Sequence, residues 1–305
     1  MNRRDALRVL ALAAGMSQLP SRAQAVKTGS SGAIATRKIA SSGELLPLVG
    51  LGTWQTFDVG ADAAARAPLE SVVREFVALG GKLIDSSPMY GRSEEVAGEL
   101  TEKLGVRDKL FIATKVWTPG KVAGIAQAED SMRKLKARPI DLLQVHNLLD
   151  VETHLRTLGE WKREGRVRYI GVTHYTASAF DAVEKVMRAH SLDFLQINYS
   201  VGEREAEQRL LPLARERGIA VIVNRPFAGG DLLRRLRSKP LPAIAAEIDC
   251  TSWAQLLLKF VISHPAVNCA IPATARVEHL RDNMAAGLGR MPDETMRARI
   301  AASAA

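Results

Sequence analysis

The sequence predicts an α/β fold, a (β/α)8 TIM barrel, on three observations. From residue 47 onward, short β-branched runs alternate with amphipathic segments in eight strand-then-helix units, the pattern of a parallel sheet with crossover helices. The runs are apolar on both faces, as strands buried on two sides must be. No glycine-rich GxGxxG fingerprint follows any of them, and eight units in about 250 residues suit a closed barrel better than an open doubly wound sheet.

The elements follow in chain order. Residues 1–25 have a basic start, an apolar stretch from Val9 to Met16 and an Ala23-Gln24-Ala25 ending, and read as a cleaved signal. Arg3 and Arg4, followed by Asp5, Ala6 and Leu7, resemble a twin-arginine signal. A periplasmic or secreted location is therefore expected, or a cytoplasmic one if the signal is not used. The apolar stretch falls far short of the roughly 20 residues that span a bilayer, so no membrane span is expected after signal removal. Residues 26–46 carry a Ser41-Ser42-Gly43 turn between two short extended pieces, expected to form a hairpin that closes the bottom of the barrel.

The barrel itself is assigned to residues 47–290. Its units are LVGLGTW with a helix at 62–79, KLIDSS with SEEVAGELTEKLG, LFIATKV with 124–137, and IDLLQVHN with 152–165. They continue as YIGVTHY with 179–190, FLQINYS with 206–217, AVIVNRPF with 252–263, and CAIPAT with 276–286. Gly80-Gly81, Gly105, Gly165 and Gly218 stand where helices must end and turn back. The stretch 228–249 is an insertion after the seventh strand, where barrels place ligand contacts. Residues 291–305 are left as a short tail.

Composition narrows the partners. Of the formal net charge of +9, the signal carries +3, and the mild remaining excess suits an anionic ligand or simply a solvated basic surface. The densest basic cluster is LLRRLRSK at 232–239, too little for a nucleic-acid face. The two cysteines, Cys250 and Cys269, and the scattered histidines form no zinc pattern. With Cys250 at the start of a helix and Cys269 in the following strand, two buried thiols are expected in place of a disulfide.

Barrels carry their chemistry at the carboxyl ends of the strands. There stand Asp85 after the second strand, Lys115 after the third and His146 after the fourth, with Tyr90 on the loop from the second. Singly, Asp85 could cap a helix, Lys115 could reach solvent and His146 could be a core histidine. Together they form a proton-transfer set. Lys115 beside the phenol is expected to favour the phenolate, Asp85 to hold the lysine, and His146 to donate a hydrogen bond to a carbonyl oxygen.

At this point the chain resembles the aldo/keto reductase superfamily. The resemblance covers roughly residues 44–290 and rests on GLGTWQ, LIDSSPMYGRSEEVAGEL, FIATKVW, IDLLQVHN, GRVRYIGVTHY, QINYS, RPFAGGDLL and IPATARVEHLRDN in the family's order. It implies reduction of an aldehyde or ketone with a nicotinamide cofactor bound across the barrel mouth. Tyr90 would be the general acid, Lys115 and Asp85 would tune it, and His146 would position a small-molecule carbonyl substrate. Trp54 and Trp117 would line the pocket.

By the same resemblance, the cofactor contacts are Thr53, Thr173, His174, Gln196, Asn224, Arg225, Pro226, Phe227, Gly229, Leu232, Thr274, Arg276, Asp282 and Asn283. This chain departs from the family in places: His174 stands where an asparagine is common, and Asn224 where an aromatic residue often stacks on nicotinamide. Ala273 and His279 replace two cations that NADPH-selective members often carry. Thr274 and Arg276 still offer a hydroxyl and a charge to a 2′-phosphate, so NADPH is expected, with NADH as the alternative. No metal is implied, and a monomer is expected. The chain ends soon after the eighth helix, which implies an open site and a broad or bulky substrate. A nicotinamide-sensing subunit with little turnover and a lyase or isomerase barrel remain the competing readings.

Overall fold

The computed structural model describes residues 32–305; the expected signal at 1–25 and the start of the extension lie outside the described residues. Two short strands, β1 (Thr36–Lys38) and β2 (Leu45–Pro47), pair antiparallel with Arg37 opposite Leu46. Eight more follow: β3 (Leu51–Gly52), β4 (Leu83–Asp85), β5 (Phe111–Val116), β6 (Ile140–His146), β7 (Val167–Thr173), β8 (Phe194–Asn198), β9 (Ala220–Asn224) and β10 (Val267–Ala270). They hydrogen-bond in sequence order and in parallel. Parallel bridges from Val49 to Ala270 and from Gly52 to Ala273 bring the first strand onto the last, and the (β/α)8 barrel is closed.

The connecting helices are α1 (Ala63–Ala78), α2 (Ser93–Lys103), α3 (Lys121–Lys134), α4 (Val151–Arg163), α5 (Phe180–Ala189) and α6 (Leu210–Glu216). The 228–249 insertion folds into α7 (Asp231–Leu236) and α8 (Ile244–Glu247), before α9 (Trp253–Ile262) and α10 (Val277–Ala285) complete the ring. Gly80, Gly105, Gly165 and Gly218 all take positive φ, as helix ends that reverse through the left-handed region require. Gly81 serves differently: a Cβ there would run into the ring of Phe76.

Strand periodicity decides what the barrel encloses. Side chains two residues apart share a face, and the inward set at the amino-terminal end is Leu83, Phe111, Leu142, Tyr169, Phe194 and Ala220. Phe111, Tyr169 and Phe194 form a ring triangle with centroids 5.5 to 5.8 Å apart. Ile39 and Leu46 from the hairpin pack into this same cluster, and the Tyr169 hydroxyl bonds Ser42 and Glu44 of the hairpin turn at 2.7 Å. The expected plug at the bottom is therefore present. Continuing each strand by twos leads from this apolar floor to Asp85, Lys115, His146, Thr173, Gln196 and Asn224 at the carboxyl ends.

The segment 291–305, expected as a tail, is a helix, α11 (Glu294–Ala304), capped by the Asp293 carboxylate on the Met296 amide. Met296, Ile300 and Ala304, four apart, bury one face, and α11 packs on α8 and α9. Arg297 locks it down. Its guanidinium donates to the Phe260 carbonyl, to the Tyr199 hydroxyl at 2.6 Å and to Glu207 at 2.8 Å. Arg297→Met should lower unfolding stability by about 2 kcal/mol, because the Phe260 carbonyl and the Tyr199 hydroxyl lose their charged donor, while Glu207 keeps Arg204. A urea titration reads this as a lower midpoint; an unchanged midpoint would mean the helix is held by its apolar face alone.

Cys250 and Cys269 are free and buried, as expected. Among the described residues, no helix is long and apolar enough to cross a membrane.

Candidate active site

The rim residues named from sequence converge. Lys115 ends an inward row of β5 and is fully buried; its ammonium donates to Asp85 Oδ2 at 2.7 Å and to the Ser86 carbonyl at 2.6 Å. It also lies 5.0 Å from the centre of the Tyr90 ring. The other Asp85 oxygen, Oδ1, accepts from Gln196 Nε2 at 2.8 Å. A carboxylate with both oxygens engaged cannot swing, so the lysine has one fixed place.

Tyr90 reaches this pair through the turn 87–90, in which its amide donates to the Ser87 carbonyl at 3.0 Å. The ring meets His146 edge-on, centroids 6.1 Å apart, and the Trp117 ring lies tilted to His146 with centroids 6.3 Å apart. His146 Nδ1 lies 3.1 Å from Ser87 Oγ. Carboxylate, ammonium, phenol and imidazole are thus assembled around one spot.

Electrostatics give each group a definite form. Burial pushes the Lys115 ammonium down, but Asp85, Tyr90 and Glu94 outweigh it and its pKa is raised, so it stays charged. Burial raises the Tyr90 phenol, and Asp85 adds to this; Lys115 pulls the other way and does not win. The expected preference for phenolate is therefore only a partial pull, and the phenol keeps its proton at neutral pH. Burial, with Lys115 and His174 adding repulsion, drops His146 to about 3, a neutral imidazole. A protonated phenol beside a fixed cation can give its proton to an oxygen and have the resulting charge stabilised.

The remaining predicted contacts divide. Thr173 Oγ1 donates to Gln196 Oε1 at 3.1 Å, and Asn224 Nδ2 donates to the His174 carbonyl at 3.1 Å. These four form a continuous polar wall next to the Asp85–Lys115 pair. Thr53 is buried and ties the strand ends together through the Asp85 carbonyl and Ser86 Oγ. Arg225 has φ 51°, lies 3.9 Å from Glu203, and runs beside Gly229. Pro226 and Phe227 follow it, the latter partly buried against the core.

The Leu232 side chain belongs to an apolar cluster with Leu236, Leu257 and Ala304. The Asp282 carboxylate is taken up by Ser252 Oγ and by Gln255 Nε2 at 2.6 Å. Thr274 Oγ1 accepts the Arg276 amide at 3.1 Å while the Arg276 guanidinium pairs with Glu278; Asn283 is buried. Trp54 and Trp117 are 46% and 40% exposed, with Met89 and Tyr175 comparably open. Large apolar side chains left this open point to a mouth rather than a core.

Sequence reasoning missed several supports. Gln127 clamps the Trp117 backbone, accepting from its amide at 2.6 Å and donating to its carbonyl at 3.2 Å, and His154 Nε2 meets the Thr118 carbonyl at 2.6 Å. The Ser86 and Ser87 contacts went unread as well, since serines after a strand end need no explanation until the fold gives them partners.

Fold and rim together define a (β/α)8 barrel with a carboxylate, an ammonium, a phenol and an imidazole gathered at its mouth. A model of the aldo/keto reductase family matches residues 48–303: the chain belongs to the aldo/keto reductase family and is an oxidoreductase. It is similar to methylglyoxal reductase YeaE of Escherichia coli (strain K12), 31% identical over 257 residues that cover 82% of this chain and 88% of that protein. Among solved structures it resembles an aldo-keto reductase from Klebsiella pneumoniae in complex with NADPH, with a TM-score of 0.72 at 26% identity over 90% of this chain and 94% of that one. It also shares its fold with an aldo-keto reductase from Bacillus halodurans in holo form, with a TM-score of 0.72 at 22% identity, covering 88% and 95% of the two chains.

Proposed function

We propose that this protein reduces an aldehyde or ketone to the alcohol with NADPH, and that Tyr90 supplies the proton. The observation that carries the reading is a protonated phenol set between the buried Lys115 ammonium and the neutral His146 imidazole.

The residues at the mouth fit such a cofactor. Asn224 Oδ1 and Arg225 Nε are buried without partners, one acceptor and one donor where buried polar atoms are ordinarily satisfied. A carboxamide NH2 and a phosphate oxygen are of the chemistry that would satisfy them. Thr173, His174 and Gln196 adjoin on one side, and the Gly229 and Gly230 backbone, both at positive φ, on the other. When bound, the reduced nicotinamide supplies a hydride for the carbonyl carbon.

The chain's own residues do the rest. Tyr90 gives its hydroxyl proton to the carbonyl oxygen. Lys115 stabilises the phenolate that remains, and Asp85, held by Gln196, keeps Lys115 in place. His146 donates a hydrogen bond to the same oxygen, and Trp54 and Trp117 grip the substrate's apolar part.

The test mixes purified protein with NADPH and a panel of carbonyl compounds, methylglyoxal first because of the Escherichia coli relative's name. Loss of NADPH absorbance is expected. The acid form of Tyr90 is the active one, so activity should hold through neutral pH and decline only as pH rises past the raised phenol pKa, above the ordinary value of about 10. No inflexion belongs near 6.5, where an ordinary histidine titrates. NADPH binding with no turnover of any carbonyl would overturn the reductase reading in favour of a sensing role.

A further inference from the structure

We propose that Ser87 is a positioning residue for His146: its hydroxyl donates to Nδ1 and so fixes the imidazole as the tautomer that carries its proton on Nε2. The inference rests on the reading above only for its consequence, that Nε2–H is the group offered to a carbonyl oxygen. Its physical basis is independent of that reading.

Both side chains are buried, and Ser87 Oγ is 3.1 Å from His146 Nδ1. A neutral imidazole has one N–H and one bare nitrogen, and the partner of one nitrogen sets the state of the other. His146 is neutral at working pH, so the question is only which nitrogen is protonated. The partners of Ser87 Oγ decide it. Among the described residues they are two, His146 Nδ1 and the Met89 amide, the latter donating at 3.4 Å.

If Nδ1 carried the proton, two N–H groups would point at one hydroxyl oxygen, and the serine's own buried proton would have no acceptor. If Nδ1 is bare, the Ser87 proton goes to it, the Met89 amide takes an Oγ lone pair, and every group is satisfied. Nε2 then holds the imidazole proton. In the opposite tautomer Nε2 would present a lone pair to the carbonyl oxygen, and the contact would be repulsive.

The turn explains why a serine can do this without disturbing the phenol. Its carbonyl accepts the Tyr90 amide, so the backbone places Tyr90 while the side chain orients His146. Ser87→Ala removes the second task and keeps the first.

The experiment uses full-length protein labelled with 15N in the histidine rings, with His146→Gln to assign the His146 signals. The parent should show a bare Nδ1 and a protonated Nε2. Ser87→Ala should show a mixture of tautomers, with kcat/KM for carbonyl reduction down roughly tenfold, the size expected from one hydrogen bond, and the NADPH dissociation constant unchanged. Ser87→Thr, which keeps the hydroxyl, should restore the single tautomer. A parent protonated on Nδ1, or a Ser87→Ala variant that keeps the Nε2–H tautomer alone, would overturn the proposal. A tautomer shift in a protein that reduces no carbonyl would uphold the positioning role and remove the reductase reading instead.

Discussion

Tyr90→Phe should lower kcat/KM for carbonyl reduction by about 10²- to 10⁴-fold, the usual worth of a positioned general acid, while NADPH binds as tightly as before. The substitution deletes one hydroxyl and little else. The ring still meets His146 edge-on, its face still lies 5.0 Å from the Lys115 ammonium, and the turn 87–90 is held by backbone. What is lost is the phenol proton beside the Lys115 ammonium, the cation placed to stabilise its departure. Initial rates with fluorescence titration of NADPH separate the two quantities. A variant as fast as the parent would reduce the phenol to a packing residue.

Lys115→Met should be as severe for activity and far worse for stability. Lys115 is fully buried and bonded to Asp85 and to the Ser86 carbonyl. Without it the Asp85 carboxylate keeps only Gln196 Nε2, and an unpaired buried charge of this kind costs about 3–5 kcal/mol. The rate should fall by at least about 10²-fold, because nothing then stabilises the phenolate. Adding Asp85→Asn removes the stranded charge. The double variant should therefore regain most of the lost unfolding stability and none of the lost rate, a separation that thermal melts and initial rates detect directly. A double variant that recovered activity would place Lys115 in the scaffold and not in the chemistry.

These two residues also mark how far the sequence could be read. Asp85, Lys115 and His146 were visible because a strand ending in a charge breaks the apolar pattern, and barrels put such breaks at one rim. The bond from Gln196 to Asp85 was not, since it crosses the barrel between residues 111 apart in the chain and depends on closure. Ser87 was hidden for a different reason: a serine in a turn needs no explanation, and only the distance to His146 gives it one.

The floor of the barrel was legible in outline, because Ser41-Ser42-Gly43 announces a turn between short extended pieces. Its register was not, and it took Ile39 and Leu46 meeting Phe111 and Phe194 to settle it. Helix limits moved by a few residues: the third helix, expected at 124–137, is Lys121–Lys134, and the sixth starts at Leu210 after a separate 3-10 turn, Glu205–Glu207. The last helix went unread because ETMRARIAASA is mostly alanine and polar residues, and the arginine that helps to dock it finds its partners only in the fold. Leu232 and Asp282 were named as cofactor contacts by the resemblance alone, and no sequence pattern showed that the Leu232 side chain lies in an apolar cluster or that Asp282 bonds Ser252 and Gln255.

The most direct measurement follows a single deuterium. NADPH carrying deuterium at the transferring position is mixed with the protein and methylglyoxal, and the alcohol is weighed by mass spectrometry for the parent and for Tyr90→Phe. The account predicts one deuterium on the former carbonyl carbon with the parent and almost no labelled alcohol with the variant. Unlabelled product, no product from the parent, or equal labelling by both would contradict it.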